Sequence, residues 1–223
     1  MRLRNKVAVI FGAGGDVGGA VARAFAREGA RLFLSGRHLR TVEAVAADIT
    51  ARGGVAEAAI VDALDEQAVE KYIDAVVEKA GTIDISFCAI SIASALTTKA
   101  PLLNLPGEEF SLPIATYTRA NFLTARSAAR RMIARRSGVI LTITATTSRV
   151  AFPNTGGTAP AYAAVVALTR TLSAELGPLG VRYVHVLDEG GQRLEGCLGA
   201  HAEEGLDDAV GVLLHAGLRQ RQQ

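Results

Sequence analysis

The sequence predicts an α/β fold: a doubly wound parallel sheet of about six strands with helices on both faces and no seventh strand. Three observations carry this. Short runs rich in β-branched residues alternate along the chain with stretches of helical period. Glycines, or a Gly-Pro pair, punctuate the boundaries. The composition, 49% hydrophobic and 21% charged over 223 residues, suits one large domain spanning 1–223 with a sizeable core.

Each element follows in order. Val7 to Phe11 is a short apolar run and reads as a buried strand. Val17, Val21, Ala24 and Phe25 then share a helix face, and Gly29 ends that helix. Arg31 to Ser35 is the second strand. Val42, Val45, Ala46 and Ile49 mark the second helix, stopped by Gly53-Gly54, and Val55 to Val61 is the third strand. Asp65-Glu66 open a helix carrying Val69, Ile73, Val76, Val77 and Ala80 on one face. Ile83 to Ile90 is the fourth strand, and Pro101 to Pro113 reads as a loop. A long helix points Phe122, Ala125, Ala129, Met132 and Ile133 inward. Gly138 to Thr144 is the fifth strand, and Pro153 to Gly157 a turn. Val165, Leu168, Leu172 and Leu176 mark a helix ended by Gly177-Pro178, and Val181 to Leu187 is the sixth strand. No β-branched run remains for a seventh, which leaves the sixth as an edge. Leu206 to Leu218 fits one more helix.

Composition excludes several classes. A net charge of +2 gives no field that argues for nucleic acid. No stretch approaches the length of apolar chain that crosses a membrane, and the basic N-terminus (Arg2, Arg4, Lys6) precedes too short an apolar run for a signal peptide. Cys88 and Cys197 lie far apart and give neither a disulfide framework nor a zinc spacing. His38, His185, His201 and His215 show no ligand spacing, so no metal is expected. The expectation is a soluble cytoplasmic protein.

The first segment with chemistry is Phe11-Gly12-Ala13-Gly14-Gly15-Asp16-Val17-Gly18-Gly19. It follows the first strand and opens the first helix, where glycines let backbone approach a pyrophosphate and the helix N-terminus offers free N–H groups. Packing alone is the bland explanation of such a turn. With this loop in this context the chain resembles the short-chain dehydrogenase/reductase family, from Lys6 to about Leu187, which implies a Rossmann-type fold. The family usually shows T-G-x-x-x-G-x-G here. Gly12 and Gly18 match, Phe11 replaces the Thr, and Asp16 replaces the middle Gly. A carboxylate at Asp16 would repel a pyrophosphate unless it turns away to cap the helix.

The resemblance assigns cofactor binding to Gly12, Gly14, Gly15, Asp16, Val17 and Gly18, to Arg37 and His38, to Asp62 and Ala63, and to Ala89. The end of the second strand, Ser35-Gly36-Arg37-His38, lacks the acid that would hold a ribose 2′-hydroxyl. Arg37 either pairs with a 2′-phosphate, favouring NADP(H) over NAD(H), or is a solvated corner residue. Asp62 resembles the family's adenine-contacting Asp, or is a turn residue before the next helix. Cys88-Ala89-Ile90-Ser91 stands where the family has N-N-A-G.

The family's catalytic groups are a Tyr, a Lys one turn later that lowers its pKa, a Ser from the fifth strand and an Asn from the long helix. Counting back from Ala167 to Leu176 puts Tyr162 in the Lys slot, Thr158 in the Tyr slot and Ala145 in the Ser slot, with the Asn slot near Tyr117 or Thr118. Shifting one turn makes Tyr162 the Tyr and Val166 the Lys. In either register the Lys is missing, because the last lysine is Lys99. Candidate replacements are Tyr162 as proton donor beside a guanidinium such as that of Arg149, with Thr144, Thr146, Thr147 or Thr158 hydrogen-bonding a carbonyl. Each also reads as an ordinary helix or strand-end residue.

Three readings of function therefore stand: an NADP(H)-preferring oxidoreductase of a carbonyl or alcohol, a nucleotide-binding pseudoenzyme acting as sensor or oligomer partner, or a degenerate truncated product. The resemblance also implies a homodimer through the long helices. The arginines crowding the end of the long helix, Arg130, Arg131, Arg135 and Arg136, read as a solvated face that suits the helix dipole.

Overall fold

The computed structural model describes residues 1–92, 100–188 and 194–197. Six parallel strands run in the order β3-β2-β1-β4-β5-β6: β1 Val7–Phe11, β2 Arg31–Gly36, β3 Val55–Ile60, β4 Ile85–Cys88, β5 Gly138–Ala145 and β6 Val181–Asp188. Their interiors are near-continuous apolar runs because helices cover both faces. One face buries Ile10, Leu32, Leu34 and Phe87 under Val21 and Phe25 of α1 (Asp16–Arg27) and Val42 and Ile49 of α2 (Leu39–Ala51). The other buries Val9, Phe33 and Ile140 under Val69 and Ile73 of α3 (Glu66–Ala80) and Ala125 and Met132 of α4 (Gly107–Met132). Leu168, Leu172 and Leu176 of α5 (Thr158–Leu176) pack against the same cluster.

Helix ends follow local chemistry. The Asp65 carboxylate accepts from Gln67 N at 2.9 Å and Ala68 N at 3.1 Å, and Gly81 closes α3 with φ 75°. Three α4 arginines, and Arg135 in the 3-10 turn that follows (Ile133–Arg135), pair across to acids on or beside α3: Arg126 with Glu66, Arg130 with Glu70, Arg131 with Glu70 and Asp74, and Arg135 with Asp84. The helix end expected to be merely solvated thus fastens two helices together.

Three expectations are corrected. A seventh strand exists, β7 Leu194–Cys197, pairing antiparallel with His185–Asp188 of β6. Leu-Glu-Gly-Cys has no β-branched residue, so it shows no strand pattern; the open edge of β6 supplies its partners. The segment read as a loop to Pro113 contains a short 3-10 turn at Leu102–Asn104 and the start of α4 at Gly107. Pro113 sits inside that helix, where it gives up one backbone bond, while Glu108 and Glu109 suit its first turn. Phe122 is not inward: it is exposed, with the Arg126 guanidinium 5.0 Å from its ring centre. The helix expected at Leu206 to Leu218 lies outside the described residues.

Candidate functional site

In an open parallel sheet a crevice forms where the strand order reverses, outside the carboxyl ends of the strands. Here that point lies between β1 and β4, and the chain leaving β1 turns at once. Gly12 N and Ala13 N both donate to Ser35 O, at 2.8 and 3.0 Å, and Ala89 N donates to Phe11 O at 2.9 Å. Gly12 has φ +78°, and a Cβ there would stand 3.1 Å from the Ala89 backbone. Only glycine lets the two strand ends come so close. Gly18, in the first turn of α1, is equally constrained, since a Cβ would run into Gly12 O.

A cavity of about 660 Å³ opens over this turn. Its floor is Phe11, Gly12, Gly14 and Gly15. Gly36, Arg37, His38 and Thr41 form one wall, with Asp62, Ala63 and Leu64 beside them. Ala89, Ile90, Ser91 and Ile92 form the opposite side, and Leu112, Thr116, Tyr117 and Ala120 of α4 close it. The structure therefore gathers eight of the sequence-derived candidates around one space: Gly12, Gly14, Gly15, Arg37, His38, Asp62, Ala63 and Ala89.

Asp16, Val17 and Gly18 do not line it. Gly15 is the N-cap of α1, so Asp16 is already helical, and Val17 packs toward the core. The carboxylate that threatened to repel a pyrophosphate stands outside the cavity wall. Its position in the first turn still complements the helix dipole.

The polar groups around the cavity differ in freedom. Asp62 Oδ1 accepts from Leu64 N at 3.0 Å, which fixes the turn. Thr41 Oγ1 donates to His38 O at 2.9 Å. Arg37 and His38 are exposed, and among the described residues no carboxylate pairs with Arg37. Cys88, at the end of β4, is buried, and burial pushes its thiol up to about 11.

Thr144, Thr158 and Tyr162 do not line this cavity. Thr144 is buried on β5, its hydroxyl 3.5 Å from Val186 O. Thr158 and Tyr162 lie one turn apart on α5, which places them on one helix face. The Thr158 hydroxyl is buried without a hydrogen-bond partner. Tyr162 packs edge-on against Tyr117, with ring centres 5.1 Å apart. Tyr117 in turn donates its hydroxyl to Ile143 O, and burial, with Tyr162 next to it, holds its phenol well above the usual range. A phenol so placed is no acid–base group near neutral pH.

Residue patterns did not single out Thr41, Thr116 or Leu112 as cavity walls, nor Asn121. Asn121 is fully buried, accepts from the Thr142 hydroxyl and donates to Tyr117 O at 3.0 Å. The one available signal for it was an amide on the inner face of a long helix. Among the described residues, no group of three or more His, Cys, Asp and Glu could hold a metal ion, and no helix is long and apolar enough to cross a membrane.

The family described as enoyl-(acyl carrier protein) reductase matches residues 12–189. The chain belongs to the short-chain dehydrogenase/reductase family. It is 29% identical over 181 residues to D-threitol dehydrogenase of Mycolicibacterium smegmatis, covering 81% of this chain and 68% of that one. It is 30% identical over 194 residues to L-rhamnose 1-dehydrogenase (NAD(P)(+)) of Azotobacter vinelandii, covering 84% and 73%. A crystal structure of a metagenomic short-chain oxidoreductase in complex with NADP is similar at a TM-score of 0.78 and 26% identity, covering 97% of this chain and 92% of that one. NAD+-bound xylitol dehydrogenase is similar at 0.77 and 25%, covering 84% and 72%. These short-chain dehydrogenases/reductases are oxidoreductases that use NAD(P), and this chain carries their nucleotide-binding fold.

Proposed function

We propose that this short-chain dehydrogenase/reductase binds NADP(H) in preference to NAD(H) and serves the oxidation or reduction of an alcohol or carbonyl. The observation that carries the reading is the cavity at the strand-order reversal, where the glycine turn, Arg37, Asp62 and Ala89 meet. The residues fit the nucleotide. Gly12, Gly14 and Gly15 line the cavity without side chains, which suits the close approach of a pyrophosphate. Asp62 and Ala63, on the cavity wall, would hold the adenine. The Arg37 guanidinium, which no carboxylate among the described residues pairs with, would take the 2′-phosphate, and no acid at Gly36 competes for a 2′-hydroxyl. When bound, the nicotinamide supplies or accepts a hydride. In the register that makes it the family's Tyr, Tyr162 would move the proton, with Thr144 or Thr158 as hydroxyl donors to a carbonyl.

A second reading, nucleotide binding without turnover, has its own observation. No lysine follows Lys99, and Thr144, Thr158 and Tyr162 all stand outside the cavity. One experiment decides between the two. The chain has no tryptophan, so NADPH fluorescence is followed without that background. Titration gives tighter binding for NADPH than for NADH, and NADPH raises the melting temperature. A panel of aldehydes and ketones is then followed by NADPH consumption. Turnover lost in Tyr162→Phe supports the oxidoreductase; no turnover with any carbonyl supports the silent binder. Absence of stabilisation by either nucleotide overturns both.

A further inference from the structure

The cavity meets buried side chains at several points, Phe11, Val42 and Val61 among them. At Tyr117 it meets a large ring that is 2% exposed and held on several sides. Its hydroxyl is tied to Ile143 O, Tyr162 stands edge-on behind it, and Ile92, Ile114, Ala161 and Val165 pack around the pair. A buried ring fixed by a hydrogen bond and an aromatic contact does not swing aside cheaply. Tyr162 and Thr158 belong to α5, behind this ring, whereas Arg37, Asp62 and the glycine turn lie before it.

We infer that Tyr117 is a partition that confines recognition to the 2′-phospho-ADP-ribose part of the nucleotide. The nicotinamide end adds little to affinity, and the site takes free 2′-phospho-ADP-ribose as well as it takes NADPH. This rests on the second reading above, nucleotide binding without turnover, and adds a specificity that the reading does not require. Without a lysine after Lys99, no ammonium comes from α5 to hold the second ribose, so the partition and the missing cation act in the same direction.

Calorimetric titration of the full chain with 2′-phospho-ADP-ribose and with NADPH tests it. The expected dissociation constants agree within about fivefold, a difference below 1 kcal/mol. NADPH binding more than about fivefold tighter overturns the partition while leaving the nucleotide site standing. Binding of neither ligand overturns the nucleotide site itself. In Tyr117→Ala the ring is gone, and the ratio of the two constants shifts toward NADPH by more than about fivefold. A folded variant with an unchanged ratio overturns the role of Tyr117. If that variant fails to fold, the wild-type ratio decides alone.

Discussion

The two halves of the sheet share one architecture and differ in what they ask of side chains. From β1 to β4 the candidate chemistry is backbone: a glycine turn that floors a cavity, with Arg37 and Asp62 on its walls. From β5 to β6 the family's chemistry belongs to side chains, and there this chain offers Thr144, Thr158 and Tyr162 without a lysine. A backbone site survives sequence drift as long as glycine keeps the chain close. A proton relay does not, because it fails when one pKa-setting cation is gone.

That contrast can be broken in four places. The largest effect is expected in the scaffold, which should be equally firm in both halves. Leu34→Ala under α2 and Leu141→Ala in β5 both empty fully buried sites, and each should cost about 2–5 kcal/mol in urea unfolding. A much smaller loss at Leu141 would show the second half to be the looser one.

Next is the turn itself. Gly12→Val forces a β-branched residue to φ +78° against the Ala89 backbone, which should cost about 2 kcal/mol or more and abolish NADPH binding. Retained affinity would break the backbone argument. Arg37→Ala should weaken NADPH about tenfold and leave NADH unchanged, measured by fluorescence titration. Equal losses would remove Arg37 from the 2′-phosphate.

The smallest effect concerns the second half and pH. His185 is buried on β6 with neither ring nitrogen hydrogen-bonded, and burial, aided by the positive charges of Arg149 and Arg170, lowers its pKa from 6.5. The unfolded chain takes a proton there that the folded chain resists. Stability from this group is therefore full above about pH 6.5 and is lost as pH falls below it. Melting temperatures from pH 7.0 to 5.5 should fall less in His185→Leu than in the wild type. Parallel curves would mean that His185 does not set this dependence.

Much of this could be read in the sequence, for reasons that differ by residue. Val7–Phe11 and the glycine turn are legible because a β-branched run followed by glycines has few other solutions. Helix α3 is legible through Asp65 and Gly81, which announce its ends. Phe122 deceived because periodicity assigns a face, whereas Arg126 stacks on its ring at the surface. β7 was invisible because its strand character is lent by β6. Tyr117 could be placed near the Asn slot, but its role as cavity wall arises from Ile143, Tyr162 and Ile92, which are distant in sequence.

The burial of Cys88 has a practical consequence. A thiol buried at the end of β4 beside Thr124 of α4, with its ionisation suppressed, reacts with an alkylating reagent only when that packing opens. Its labelling rate, read by peptide mapping, is a clock for the opening of α4 from the end of β4. A ligand that bridges the two slows the clock in proportion to its hold.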